Sequence, residues 1–337
     1  MSPTSCQTAP PRNRRRRYYA RDLAFARQPP GCGVSAKLPV LGPLGFPHVL
    51  TSIRREITAP VAGYTQKDSR PETIFHMPST RPTAVAGLFY PNEAEKLAAS
   101  VHEYVDQANA SDVSAPAALI APHAGYVYSG PVAGTAYRSL TSVAKKISRV
   151  VLLGPSHRVP FAGIALSSAD AFASPLGPVH IDTDCQRRLA ELPGVVTLDA
   201  AHAAEHSLEV HLPFLQTVIE DVRLVPLVVG DASPEQVANV IESAWTDDDT
   251  LIVVSTDLSH YQSYEDAARL DRETTDAIER RDASITPQQA CGCRPLNGLL
   301  QVAQRRQLGI TTLDLRNSGD TAGPRDRVVG YGAYALA

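Results

Sequence analysis

Five segments of this sequence carry residues of the kinds that bind metals or move protons. LIAPHAGYVYSG places His123 just after an apolar run, VVLLGPSHR does the same for His157, and LIVVSTDLSHY does so for Asp257 and His260. Neutral imidazole is the commonest transition-metal ligand, and two histidines with one anionic group leave positions for substrate or oxygen. Any one of these histidines reads equally well as a solvated loop residue. The recurrence at three run ends favours a metal site.

The fourth segment, AAHAAEHSLEVHLPF, gathers His202, Glu205, His206, Glu209 and His211 within ten residues. His202 to His206 matches H-x-x-E-H, in which two histidines on one helical face hold zinc and the glutamate activates water. That chemistry needs a continuous helix through residue 206. Pro213 is best tolerated in a first turn, so a helix beginning near residues 207–213 is expected, with His202 in the loop before it. The cluster is then either a solvated approach to that helix or part of the lining of the crevice that holds His123 and His157.

QQACGCRPLNG sets Cys291 and Cys293 just before an expected helix. A thiolate near a helix N-terminus has a lowered pKa and suits metal ligation or nucleophilic attack, although a small buried thiol explains C-x-C equally well. GCGVSA, near the start, imitates a dinucleotide fingerprint but follows no strand. With no P-loop and no G-x-S-x-G, no nucleotide cofactor and no serine nucleophile elbow is expected.

The elements that must position these residues alternate from about residue 80 onward. Strands are expected at Ala118 to Pro122, Arg149 to Leu153, Gly163 to Ser167, Arg223 to Val229, Leu251 to Ser255, Thr311 to Leu315 and Val328 to Ala335. Helices are expected at Glu93 to Ala108, Pro131 to Ser139, Thr183 to Glu191, Pro213 to Asp221, Pro234 to Ala244, Tyr264 to Arg281 and Asn297 to Arg305, with Ser233 as an N-cap before Pro234. The alternation implies one α/β domain over residues 77–337, a central mixed, mostly parallel sheet flanked by helices. In such a sheet ligands bind at the carboxyl ends of the parallel strands.

Composition divides the chain. Of 337 residues at net charge −3, residues 1–76 hold 12 of the 32 Lys and Arg but 4 of the 35 Asp and Glu, so this segment is +8 and the remainder −11. It also holds 10 of the 27 prolines, the run Arg14 to Arg17, and no apolar periodicity. A disordered extension is expected, or an upstream start before Met77. The alternatives are a basic nucleic-acid tail or an arginine-rich targeting peptide, and it lacks the apolar core of a secretory signal. No run approaches the roughly 18 apolar residues of a membrane helix. Five cysteines, at 6, 32, 185, 291 and 293, make no disulfide framework, and a reducing, cytoplasmic setting is expected.

Taken in order, AGLFYP, APHAGYVYSG, LLGPSH, EHSLEVHLPFL, VPLVVG, STDLSHY, CG followed by a proline, and the closing GYGAYA resemble the Memo family, whose prokaryotic members are called AmmeMemoRadiSam system protein B. The resemblance runs from Thr83 to Ala337. It implies a fold like the class III extradiol dioxygenases, with metal positions on His123, His157 and Cys291 and further catalytic-pocket positions on Asp257 and His260. The expected pocket lining adds Tyr126 from APHAGYVYSG to His206, Glu209 and His211. Cys293 follows Cys291 closely enough to compete for a metal or to pair with it.

These features together anticipate a non-haem redox protein holding Fe(II), or copper, in a His2Cys site softer than two histidines and a carboxylate. His260 is then the acid/base and Asp257 its orienting partner. A second expectation keeps the fold without catalysis, as a module binding a peptide, a small molecule or a radical-SAM system protein. A third is a cysteine hydrolase pairing Cys291 with His123 or His260. A membrane or nucleic-acid partner is not expected.

Overall fold

The computed structural model describes residues 79–109, 113 and 115–337. The readings of residues 1–76 as an extension, of Cys6 and Cys32, and of GCGVSA fall outside the described residues.

The described chain runs β1 (Thr80–Arg81), α1 (Ala94–Gln107), β2 (Ala118–Ala121), α2 (Tyr126–Arg138) and β3 (Arg149–Pro155). Then follow β4 (Ile164–Leu166), β5 (Ala171–Phe172), β6 (Val179–His180), α3 (Thr183–Leu189), β7 (Val195–Thr197) and α4 (Asp199–Ala203). A 3-10 turn at Glu209–His211 leads into α5 (Leu212–Val218), β8 (Arg223–Val229), α6 (Pro234–Ala244) and β9 (Thr250–Ser255). The order closes with β10 (His260–Gln262), α7 (Tyr264–Glu279), α8 (Cys293–Arg306), β11 (Ile310–Asn317) and β12 (Val328–Leu336).

A nine-stranded mixed sheet has the order β10-β12-β2-β9-β3-β8-β4-β7, with β11 also paired to β12. Its centre, β2, β9, β3 and β8, is parallel, and β12 and β4 join it antiparallel. A second, three-stranded sheet is formed by β1, β5 and β6. The central strands are apolar on both faces because side chains alternate and helices cover each side. Leu119, Leu152 and Val253 pack under α1, α2 and α5, whereas Ile120, Val151 and Ile252 pack with α3, α6, α7 and α8.

The seven expected strands are present with ends shifted by at most two residues, and α6 carries the expected Ser233 cap as a full capping box with Gln236. Two helix starts differ in ways that matter for the site. The second helix starts at Tyr126 rather than Pro131, directly behind His123, with Gly125 accepting from Tyr128 and Ser129. The last starts at Cys293 rather than Asn297, because Pro295 fits in a first turn whose N–H groups have no intrahelical partner. His202 lies in α4, not in a loop, and the helix ends at Ala203, so H-x-x-E-H is not on one continuous helix. The strands β1, β5, β6, β7 and β10 have two or three residues each, too few for an alternating pattern to register.

Candidate metal centre

Because β2, β9 and β3 are parallel neighbours, the residues just beyond their carboxyl ends are brought side by side. These are His123, Asp257 and His157, each two residues past its strand. The segment between α4 and α5 crosses above them. Gly154 near the end of β3 permits this approach, since a Cβ there would sit 2.7 Å from Ser207 Oγ. Gly292 does the same for the cysteine loop, where a Cβ would meet the Ser255 carbonyl at 2.7 Å.

His123, His157 and His206 converge so that one ligand atom from each lies within 4.8 Å of the others. His157 stacks on His206 at 4.7 Å between ring centroids, with His123 edge-on to both at 5.2 and 5.5 Å. Cys291 Sγ lies 3.3 Å from His123 Nε2. The histidine trio thus includes His206, expected only in the lining, and Cys291 stands beside it. Cys291 and Cys293 are both free thiols.

The rings are oriented by their outer nitrogens. His157 Nδ1 meets Glu205 Oε1 at 2.9 Å, and the same carboxylate accepts the backbone N–H groups of His157, His206 and Ser207 at 2.6, 2.9 and 2.9 Å. Burial alone would raise the Glu205 carboxyl, but the His157 hydrogen bond and the two adjacent imidazoles outweigh it and hold it down at about 2. His157 therefore donates from Nδ1 to a charged carboxylate and turns its Nε2 away from it, an arrangement that orients many metal-bound histidines.

Burial, with the neighbouring His157, lowers His206 to about 4 and His123 well below its ordinary value. Neutral imidazoles are the form that binds metal. His206 Nδ1 is buried with no hydrogen-bond partner, 3.4 Å from a Glu205 oxygen that already accepts three N–H groups. The donor set fits a transition metal: three converging imidazoles, two of them held neutral by burial and one of those with an unpartnered buried nitrogen, and a thiol alongside.

Burial, reinforced by the Asp257 carboxylate, pushes the Cys291 thiol up, so without a cation it is a poor nucleophile. Alkylation of Cys291 in metal-free protein is expected to be slower than that of an ordinary exposed cysteine. Faster alkylation, read by mass spectrometry, would restore the hydrolase reading.

Asp257 is buried and accepts the His123 backbone N–H at 2.8 Å, which anchors the β2 loop. Burial raises its carboxyl, against the pull of His260 and the His123 N–H. His260 donates from Nδ1 to the Leu258 carbonyl at 2.8 Å.

The other residues expected in the lining make their hydrogen bonds elsewhere, although His211 Nε2 and His202 Nδ1 are buried without a partner. Glu209 forms a buried ion pair with Arg81 and accepts from Ala84 N, Val85 N and Tyr90 Oη at 2.7, 2.9 and 2.7 Å. Tyr126 donates to the Val210 carbonyl at 2.7 Å. His211 Nδ1 bonds the Tyr137 hydroxyl at 3.0 Å, and His202 Nε2 bonds the Ala165 carbonyl at 3.1 Å.

Burial lowers His211 to about 3 and His202 to about 4. Below the ordinary histidine value of about 6.5 the unfolded chain binds protons that these buried rings refuse, so stability is full above that pH and falls as acid is added. Asp271, raised to about 6 by burial, works in the opposite direction. Substituting His211→Gln is therefore expected to flatten the acid side of the stability profile by about 1.4 kcal/mol per pH unit between pH 6 and 4. An unchanged slope of urea-derived stability against pH would contradict the buried neutral imidazole.

Four large apolar side chains are exposed on segments leading from the site: Leu88 before Phe89, whose ring lies 4.9 Å from His206, Val127 and Tyr128 in the first turn of α2, and Tyr261 after His260. No helix among the described residues is long and apolar enough to cross a membrane.

Comparison with known proteins matches residues 81–335 to the family described as Memo-like protein. A MEMO1 family protein of Methanothermobacter thermautotrophicus is 34% identical over 275 residues, covering 74% of this chain and 98% of its own length. Those of Aquifex aeolicus and Pyrobaculum arsenaticum are each 34% identical, over 265 and 276 residues, covering 74% of this chain and 97% and 96% of their own. With the family match spanning nearly all of the described residues and these relatives covered almost end to end, the chain belongs to the Memo family.

Proposed function

We propose that His123, His157 and His206, with Cys291 beside them, hold one transition-metal ion, Fe(II) or copper, and that the protein is a metal-dependent redox protein of extradiol-dioxygenase-like kind. The observation that carries this reading is the convergence of three nitrogens within 4.8 Å from three separate segments. Imidazole suits both iron and copper, and a thiolate from Cys291 would shift the preference towards copper or thiolate-bound iron. When bound, such a metal supplies redox and Lewis-acid chemistry.

The chain's own residues would bind, orient and move protons. Glu205 orients His157, and Asp257 holds the loop that carries His123. His260 Nε2 takes a proton from a substrate hydroxyl at the rim. Oxygen uptake with catechol-type substrates by Fe(II)-loaded protein, lost in His157→Ala and His260→Ala, tests the redox branch.

A second reading rests on the exposed rim of Leu88, Val127, Tyr128 and Tyr261. An apolar, partly aromatic margin suits a peptide or a partner protein such as a radical-SAM system component, docking over the site without turnover. Absence of oxygen uptake across such substrates, in protein that does hold metal, favours this module.

A further inference from the structure

We infer that Ser255 is a positioning residue that fixes the tautomer of His123, placing the proton on Nδ1 and leaving Nε2 unprotonated towards Cys291 and the other two imidazoles. The inference deepens the metal-centre reading and rests on it for the consequence, although its geometry stands without a metal.

Ser255 is the last residue of β9 and fully buried. Its hydroxyl has one proton and two acceptor lone pairs. It makes two short contacts: 2.6 Å to the Ser207 carbonyl and 2.6 Å to His123 Nδ1. A carbonyl only accepts, so the hydroxyl proton lies on the Ser207 side. The remaining contact closes only if His123 donates, which requires hydrogen on Nδ1. Neutral imidazole, the form that binds metal, carries one proton, so with hydrogen on Nδ1 its Nε2 is left with its lone pair. That nitrogen lies 3.3 Å from Cys291 Sγ.

The alternative tautomer would place a buried Nδ1 lone pair against the oxygen lone pairs of Ser255 while Nε2–H blocked the ligand position. Its Nε2–H would find only the weak sulfur acceptor of Cys291 at 3.3 Å, Asp257 Oδ2 at 4.0 Å being beyond hydrogen-bond reach. Ser207 makes the constraint rigid. Its N–H donates to Glu205, its hydroxyl donates to the Pro155 carbonyl at 3.0 Å, and its carbonyl takes the Ser255 proton. One buried residue therefore links the group that orients His157 to the group that orients His123. His157 has a carboxylate behind it and His123 a hydroxyl.

The test is imidazole-nitrogen NMR on full-length, metal-free, isotope-labelled protein, followed by separate Fe(II) and Cu(II) titrations. In wild type, His123 is expected to be protonated at Nδ1. Ser255→Ala removes the acceptor, and Ser255→Cys keeps nearly the same volume with a much weaker one. Both are expected to convert a substantial fraction of His123 to the Nε2–H form and to weaken metal binding about 10–100-fold, while Ser255→Thr, which keeps the hydroxyl, restores the wild-type spectrum. Protonation at Nε2 in wild type, or an unchanged tautomer in the Ala and Cys variants, overturns the inference. Because the spectra are read without metal, a wild type that binds neither ion refutes the metal centre and still leaves the role of Ser255 to be decided by NMR. Should the Ala variant fail to fold, the wild-type spectrum and the Cys variant decide.

Discussion

Substituting Arg81→Met is expected to destabilise the protein by about 3–5 kcal/mol, the usual cost of removing one partner from a buried ion pair. The Arg81 and Glu209 side chains are 5% and 0% exposed, so Glu209 would be left as a buried anion without its cation. The same guanidinium donates to the His202 carbonyl at 2.9 Å and the Glu205 carbonyl at 2.6 Å. One arginine on the first described strand thus clamps the segment that carries Glu205, His206 and Glu209. Urea denaturation provides the measurement, and a loss below about 1 kcal/mol would show that water or the three remaining donors to Glu209 replace the guanidinium. The double variant Arg81→Met with Glu209→Gln is expected to recover part of the loss, because no buried charge is then stranded.

Glu205→Gln is expected to weaken metal binding about 10–100-fold, as loss of an orienting carboxylate behind a ligating histidine generally does. One carboxylate accepts four N–H groups here, three of them from the backbone. An amide supplies one oxygen and turns its own N–H2 towards the rest, leaving buried donors unsatisfied at about 1–3 kcal/mol each. The variant should therefore lose both stability and affinity. Calorimetric Fe(II) titration at a temperature where the variant remains folded separates the two, and wild-type affinity there would mean that His157 needs no orienting partner.

The features that were readable in the sequence are those with a periodic or terminal signal. Strand runs such as VVLL and LIVV are apolar on both faces because both faces are covered, and a histidine or aspartate straight after such a run stands at the end of a parallel strand. This logic placed His123, His157 and Asp257 at neighbouring strand ends. It does not resolve AAHAAEHSLEVHLPF, where His206 joins the imidazole cluster but five ionisable residues within ten positions have five different partners. His202 goes to a backbone carbonyl, Glu205 to His157, His206 to the imidazole cluster, Glu209 to Arg81 and His211 to Tyr137. Those partners come from positions far away in the chain, so no local spacing encodes them. Two-residue strands such as β1 and β5 are equally invisible, although β1 carries the Arg81 clamp.

The central claim is that His123, His157 and His206 bind one metal ion. Metal analysis of protein purified without a histidine tag, comparing wild type with His123→Ala, His206→Ala and Cys291→Ala, tests it most directly. The account predicts about one iron or copper per chain in wild type, lost in both histidine variants, with Cys291→Ala altering which metal is retained more than how much. Metal well below one per chain in wild type, unchanged by either histidine substitution, would contradict it.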